Sequence, residues 1–203
     1  MSTPVETPAA PALAVADPAP LGLAAFALTT FLLSAFNAGF TKGLGAEWVA
    51  FALGYGGLVQ LLAGMWEFKN RNVFGATAFA TYGGFWIGLG IYALTFLANP
   101  KTNLLNDLGW ILLAFAIFNT YMLIWSSQVN GAVFGVFLTL EITEIVLAIG
   151  AFSGDAPGAG ATKVGAILGI ITALVAWYAS AAGVIAGMKG RPVLPVGGPL
   201  FKL

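Results

Sequence analysis

The chain has 203 residues, of which 59% are hydrophobic and 8% charged, and its mean hydropathy is +0.92. Soluble domains carry charge at about a quarter of their positions, so this composition excludes an ordinary soluble domain and indicates a membrane protein. Without His or Cys, the chain lacks the residues for haem ligation by imidazole, cysteine zinc sites, disulfides and histidine-based catalytic dyads. Eight basic residues balance eight acidic ones without a basic run, which argues against nucleic-acid binding. We therefore expect no enzyme activity, cofactor or metal.

Residues 1–17 are predicted to form a disordered tail rich in Pro and Ala. Five of the ten prolines fall within the first twenty residues, and the segment has too few large apolar side chains to bury. No positive region precedes an apolar run, so a secretory signal peptide is not expected. Asp17 is expected to cap a helix that starts at Pro18. The alternative is that this helix N-terminus favours an anion.

Uncharged stretches predict six membrane spans, because a span needs about 20 mainly apolar residues. The polar turn at 126–131 divides the longest apolar run into two spans,. The predicted spans are 18–41, 48–66, 72–98, 108–125, 129–152 and 164–188, within a transmembrane domain at 18–190 that is followed by a tail at 191–203. Such continuous apolar runs exclude a membrane β-barrel, whose strands alternate apolar and polar residues. The fold class is therefore an all-α bundle of six transmembrane helices.

The distribution of basic residues predicts that both termini are cytoplasmic. Five Lys and Arg lie on the tails and even-numbered loops, against three on the opposite face. Cytoplasmic loops carry an excess of these residues, above all beside helix ends. We expect a multi-pass protein of the cell membrane, inner or plasma, in this orientation.

Several spans contain glycines four residues apart, a spacing that lets helix backbones approach closely. The four pairs are Gly84 and Gly88, Gly131 and Gly135, Gly165 and Gly169, and Gly183 and Gly187. Tight packing within one chain explains such pairs, and so does assembly of a homo-oligomer. The sequence does not decide between them.

Glu141 and Glu144 are the only ionisable groups deep within a predicted span. Three residues apart, they share one helical face. Two carboxylates this close in a low dielectric repel each other, so one could hold a proton at neutral pH and serve in a proton relay. Alternatively, both face an aqueous cavity or a neighbouring subunit and are satisfied by Ser, Thr or Asn.

Two separated blocks resemble the acetate uptake transporter family, which includes the bacterial succinate-acetate permeases of the YaaH type. The first is DPAPLGLAAFALTTFLLSAFNAG, which begins at Asp17, and the second is GYGGLVQLLAGMWEFKNRNVFGATAFATYGGFW, from Gly54 to Trp86. The resemblance covers about 20–190. The chain departs from the family pattern in two ways: Asp17 replaces the usual Asn, and Glu141 and Glu144 stand where bacterial relatives generally carry uncharged residues.

The resemblance implies a transporter of acetate and related short carboxylates, assembled as a hexamer with a pore in each protomer. It further implies a constriction formed by Phe26, Tyr82 and Leu140. In such a pore the candidate substrate-binding residues are four polar side chains of the first two spans and the Trp of the second block. These are Thr29, Thr30, Asn37, Gln60 and Trp86. Their alternative role is to hydrogen-bond helices to one another.

Transport could proceed by proton symport or through a gated anion channel, because both the neutral acid and the anion of acetate are available near its pKa of roughly 4. The competing interpretation is a non-transport membrane subunit or a transporter of another small solute. Absence of His disfavours a haem subunit, and absence of a mid-span Lys disfavours a retinal protein.

The predicted orientation can be tested by cysteine labelling, because the native chain has no Cys. Single cysteines replacing Ser2 and Lys202 should both be protected from an impermeant thiol reagent added to intact cells, and should react after the membrane is permeabilised. Labelling of both positions from outside would refute the topology.

Overall fold

The computed structural model describes residues 15–43, 45–98 and 104–201, and within these residues the regular structure is entirely helical. Residues 1–14 of the predicted tail and residues 202–203 lie outside this part of the chain. The helices are α1 (Ala19–Asn37), α2 (46–69), α3 (Val73–Ala98), α4 (Leu104–Ser126), α5 (Gly131–Ser153) and α6 (Gly160–Lys189). By length and composition, five helices of the described chain are able to cross a membrane: Ala19–Asn37, Glu47–Lys69, Leu105–Ser126, Gly131–Ser153 and Gly160–Lys189.

The start of α1 differs in detail from the expected cap. Pro18, not Asp17, occupies the N-cap position, and its carbonyl accepts from the backbone N–H of Leu21 and Gly22. The Asp17 carboxylate still accepts a hydrogen bond from the Ala19 N–H, at 2.9 Å. Asp17 therefore satisfies a free N–H group of the first turn, although it lies one residue before the N-cap.

Helix α2 is continuous but not uniform. It is α-helical over Ala46–Phe51, π-helical over Ala52–Val59 and α-helical again over Gln60–Lys69. The π-helical stretch contains three glycines, and at Gly56 the backbone lies against the Thr29 side chain of α1. Such wide turns are uncommon and often occur at functional sites.

Local capping explains both ends of α5 and the start of α3. α5 begins after Asn130, whose side chain accepts from the Val133 N–H, and it ends at Gly154 with a φ of 75°. The Asn72 side chain accepts from the Gly75 N–H at 3.0 Å and caps α3 in the same way,. Beyond α6, the backbone N–H of Leu200 donates to the Ser127 carbonyl, so the C-terminal segment lies along the turn between α4 and α5.

The six helices form a closed ring in chain order. Each packs on the next, and α6 returns to pack extensively on α1. Where α1 begins, the Ser180 hydroxyl of α6 donates to the Pro20 carbonyl at 2.7 Å. The centre of the ring is a buried cluster that includes Phe26, Tyr82 and Leu140.

Glycines permit the closest approaches between these helices, and the pairs predicted from sequence behave differently from one another. A Cβ atom on Gly165 would meet Leu147 of α5 at 2.8 Å, so this glycine serves packing within the chain. Gly84 and Gly88 have open space in front of them instead. A tight contact that the pair spacing does not reveal lies at Gly64, where a Cβ would meet the Ala80 backbone nitrogen at 2.5 Å.

Replacing Gly64 by Ala should destabilise the protein by roughly 1–3 kcal/mol, because the new methyl group forces α2 and α3 apart. Gly187→Ala is the matched control, since nothing lies within 4 Å of its added Cβ. Thermal unfolding of both purified variants in detergent measures the difference. Equal stability of the two variants would show that α2 and α3 do not pack as described.

Candidate substrate pathway

The constriction residues expected from the family resemblance lie together at the centre of the ring. Phe26 of α1, Tyr82 of α3 and Leu140 of α5 are all buried and line one small cavity. The Phe26 and Tyr82 rings meet edge to face, with centroids 5.9 Å apart. Phe115 and Phe118 of α4 pack on the Tyr82 ring at 5.9 and 5.5 Å. Three apolar walls and one phenol hydroxyl thus converge at one point.

The small cavity has a volume of about 40 Å³. A buried water needs about 10–15 Å³ measured in this way, so the space holds only a few atoms. Its wall is almost wholly apolar, and among the described residues no Lys or Arg belongs to it. The lining residues of the central cavity are Phe26, Thr30, Leu33, Ser34, Tyr82, Phe85, Trp86, Leu112, Leu140, Thr143, Glu144 and Leu147.

A larger cavity of about 420 Å³ lies next to the central cavity. It extends to the connections that follow α1 and α5, where Asn37 and Asp155 line it. Leu33, Leu112 and Leu147 line both cavities and therefore form the boundary between them. The arrangement is a wide apolar vestibule that leads to a narrow central chamber.

A chain of buried hydrogen bonds joins the central cavity to α4 and α5. The Tyr82 hydroxyl lies 3.0 Å from Asn119 Oδ1 and 3.2 Å from Glu144 Oε1. Asn119 Nδ2 donates to the Phe137 carbonyl and to Glu141 Oε2, at 2.9 and 2.7 Å. Asn119 and Tyr82 together thus connect Glu141 to Glu144.

The single hydroxyl proton of Tyr82 limits which hydrogen bonds of this buried network can form at the same time. Because Asn119 Nδ2 is engaged with Phe137 and Glu141, its Oδ1 faces Tyr82 as an acceptor,. Tyr82 has one hydroxyl proton for two acceptors, Asn119 Oδ1 and Glu144 Oε1. Both contacts are full hydrogen bonds at the same time only when Glu144 carries a proton and donates it to the Tyr82 oxygen.

The two glutamates differ in their surroundings. Glu141 is half-buried, and both of its oxygens accept hydrogen bonds, one from Asn119 and the other from the Thr120 hydroxyl at 2.8 Å. Glu144 is 3% exposed, and its Oε2 has no hydrogen-bond partner among the described residues. Only Glu144 lines the central cavity. The two therefore do not act as an equivalent pair.

The substrate-binding candidates named from sequence separate into two groups. Thr30 and Trp86 line the central cavity, whereas Asn37 lines the vestibule. Thr29 and Gln60 belong to the lining of neither cavity. The Thr29 hydroxyl bonds to the Ala25 carbonyl, 3.1 Å away, and lies near the Phe51 carbonyl of α2. Gln60 is fully buried within the packing of α2.

Sequence reasoning missed two features of this pathway. The first is Asn119, whose contacts with Tyr82 and Glu141 depend on three helices at once. The second is the set Leu33, Leu112 and Leu147, which the sequence does not single out because leucines occur in every predicted span. These three leucines are distinguished from the others only because each of them lines both cavities.

Comparisons with known proteins agree with this architecture. The profile described as the GPR1/FUN34/yaaH family matches residues 2–196. Acetate permease A of Emericella nidulans is 40% identical over 195 residues, which cover 89% of this chain and 65% of that protein. The succinate-acetate/proton symporter SatP of Escherichia coli K12 is 34% identical over 188 residues, which cover 90% of this chain and 96% of that protein. The chain thus spans just under two thirds of the fungal relative and nearly all of the bacterial one.

A solved structure of the bacterial acetate channel SatP superposes on this fold with a TM-score of 0.83 at 34% identity. The match covers 90% of this chain and 99% of that chain. These findings confirm the resemblance to acetate uptake transporters and the character of the chain as a multi-pass membrane protein.

Substituting Tyr82 by Phe tests the hydrogen-bond chain without altering the ring. The variant should lose about 1–3 kcal/mol of stability, because Asn119 Oδ1 is left buried without a donor. Tyr178→Phe is the control, since the hydroxyl of this exposed residue bonds only to the Pro195 carbonyl among its described partners. Thermal unfolding in detergent should show the larger loss for Tyr82→Phe, and the reverse order would contradict the network.

Proposed function

Because the chain belongs to the GPR1/FUN34/yaaH family, we propose that it moves acetate and related short-chain carboxylates across the cell membrane. The observation that carries the proposal is the central cavity, which is lined by an apolar wall and by Glu144, a buried residue with one carboxyl oxygen that has no partner among the described residues. Two similar proteins bear names that refer to acetate, as a permease and as a proton symporter.

The chemistry of the cavity suits acetate. A methyl group needs an apolar wall, and a carboxyl group needs a few hydrogen-bond donors. Phe26, Leu140 and the Tyr82 ring supply the wall at the proposed constriction. A larger or doubly charged acid would lose more hydration free energy in the same space.

The leucine boundary between the vestibule and the central cavity supports the proposal of a gate in the substrate pathway. Leu33, Leu112 and Leu147 separate the wide vestibule from the central cavity without offering a polar group. Narrow hydrophobic segments close pathways by expelling water. Movement of α4 relative to α1 and α5 would open this boundary.

We propose proton symport as the mode of transport, with the Glu141 and Glu144 pair as the proton relay. The hydrogen-bond count at Tyr82 supports a protonated Glu144 in this arrangement. Glu141, linked through Asn119, is half-buried and lies closer to the surface of the protomer. A channel mechanism would not require either carboxyl group to change its protonation.

The architecture proposed for the working protein has six spans, cytoplasmic termini and a pore in each protomer of a hexamer. α3 would be the sixth span, since Val73–Ala98 has 26 residues and no charged side chain. Gly84 and Gly88 on α3, with open space in front of them, supply a face where another protomer could pack closely,.

The proposed constriction should set substrate size. Phe26→Ala or Leu140→Ala should raise the initial uptake of labelled lactate and succinate relative to acetate in proteoliposomes, because both the steric limit and the desolvation cost fall. Uptake is normalised to correctly assembled protein. Unchanged ratios in both variants would move the selectivity site elsewhere.

The symport proposal is tested by labelled-acetate uptake into proteoliposomes with and without an inward-directed pH gradient. The wild-type protein should accumulate acetate against its gradient only when the pH gradient is present. Changing both Glu141 and Glu144 to Gln should abolish this accumulation while exchange of internal for external acetate persists. Normal accumulation by a folded double variant would exclude the relay.

A further inference from the structure

Three residues that line the central cavity each carry a buried polar atom without a hydrogen-bond partner among the described residues. The atoms are Thr30 Oγ1, Trp86 Nε1 and Glu144 Oε2, and their residues come from α1, α3 and α5. Each atom is buried, and the exposed fractions of the three residues are 6%, 3% and 3%. A buried polar group without a partner costs about 1–3 kcal/mol, so three in one cavity indicate a ligand that supplies the missing partners.

Thr30 departs from the usual behaviour of threonine in these helices. Five others donate their hydroxyl to the carbonyl four residues earlier: Thr29, Thr95, Thr139, Thr143 and Thr172. This local bond is the normal way to satisfy a hydroxyl in an apolar helix. Thr30 makes no such bond and lines the cavity instead.

Trp86 restricts the chemistry of the ligand. An indole N–H can donate a hydrogen bond but cannot accept one, so its partner must carry an acceptor. Ammonium has only donors and cannot satisfy this atom. A carboxyl group has two acceptor oxygens, enough for both Trp86 and Thr30.

A protonated Glu144 can supply a hydrogen-bond donor to an anion bound in this cavity. In the part of the chain that the structure describes, no Lys or Arg lines the wall, so a bare carboxylate would stand beside another carboxyl group in an apolar space. If one proton is shared between the two carboxyl groups, the repulsion becomes a charge-assisted hydrogen bond.

We propose that Thr30, Trp86 and Glu144 form a subsite that binds the carboxyl group of a small monocarboxylic acid, with Glu144 sharing one proton with it. This inference rests on the proposed function and makes Glu144 a direct ligand of the substrate. With substrate bound, the Glu144 proton lies on Oε2 and is donated to the substrate carboxylate, while Glu144 Oε1 accepts from the Tyr82 hydroxyl. As the proton transfers, the O–H bond on Glu144 breaks and one forms on the substrate, which leaves as the neutral acid. Glu144 then regains a proton from bulk water on the uptake side.

The test is the KM for acetate exchange, in proteoliposomes loaded with unlabelled acetate and supplied with labelled acetate outside. Trp86→Phe and Thr30→Val should each raise KM about tenfold, the effect of losing one hydrogen bond to a charged group. Glu144→Gln should raise KM as well, whereas a relay residue that never touches substrate would leave KM unchanged. Trp177→Phe is the matched control, because this residue packs on Phe31 and lines neither cavity.

A competition arm tests the shared proton. Acetamide has nearly the shape of acetate but no carboxylate to pair with Glu144, so it should compete much less well than unlabelled acetate. The subsite would be overturned if both Trp86→Phe and Thr30→Val had the wild-type KM, or if acetamide competed as well as unlabelled acetate. Either result would leave the proposal of acetate transport intact. Wild-type protein with no exchange above that of protein-free liposomes would instead refute the proposed function, and the subsite with it.

Discussion

The hydrocarbon interior of a membrane offers no hydrogen bonds, so every polar group in these helices must find its partner within the protein. Most of the described side chains obey this constraint through local bonds. Thr139 and Thr172 return their hydroxyls to the preceding helical turn, and Asn119 bonds to a carbonyl, a carboxyl group and a phenol. The helices, their capped ends and the ring in which they pack are different solutions to the same requirement.

Exceptions to that constraint are informative because they are costly. Among the described residues, Thr30, Trp86 and Glu144 leave unpartnered atoms at one cavity. Unpartnered oxygens on Gln60 and Glu67, by contrast, lie outside both cavities. A ligand that supplies acceptors and shares a proton would complete the central group. Binding, selectivity and proton coupling would then depend on the same few atoms.

Much of the fold was predictable, because apolar length and turn residues report directly on membrane helices. The resemblance blocks also led to Phe26 and Tyr82, which the structure places together with Leu140 at one cavity. The difference between Glu141 and Glu144 was not predictable, because helical spacing puts both on one face and only α4 and α3 decide which oxygen is satisfied. In the same way, Thr29 and Thr30 are neighbours in sequence but face a helix carbonyl and a cavity respectively.

The central claim is that Glu144 holds a proton beside Tyr82 in the middle of the bundle. Infrared difference spectroscopy of purified protein, comparing the wild type with Glu144→Gln and Glu141→Gln, tests this claim most directly. The account predicts a carboxylic-acid C=O band that disappears in Glu144→Gln and persists in Glu141→Gln. Absence of the band from the wild type at neutral pH, or its loss in Glu141→Gln alone, would contradict the assignment.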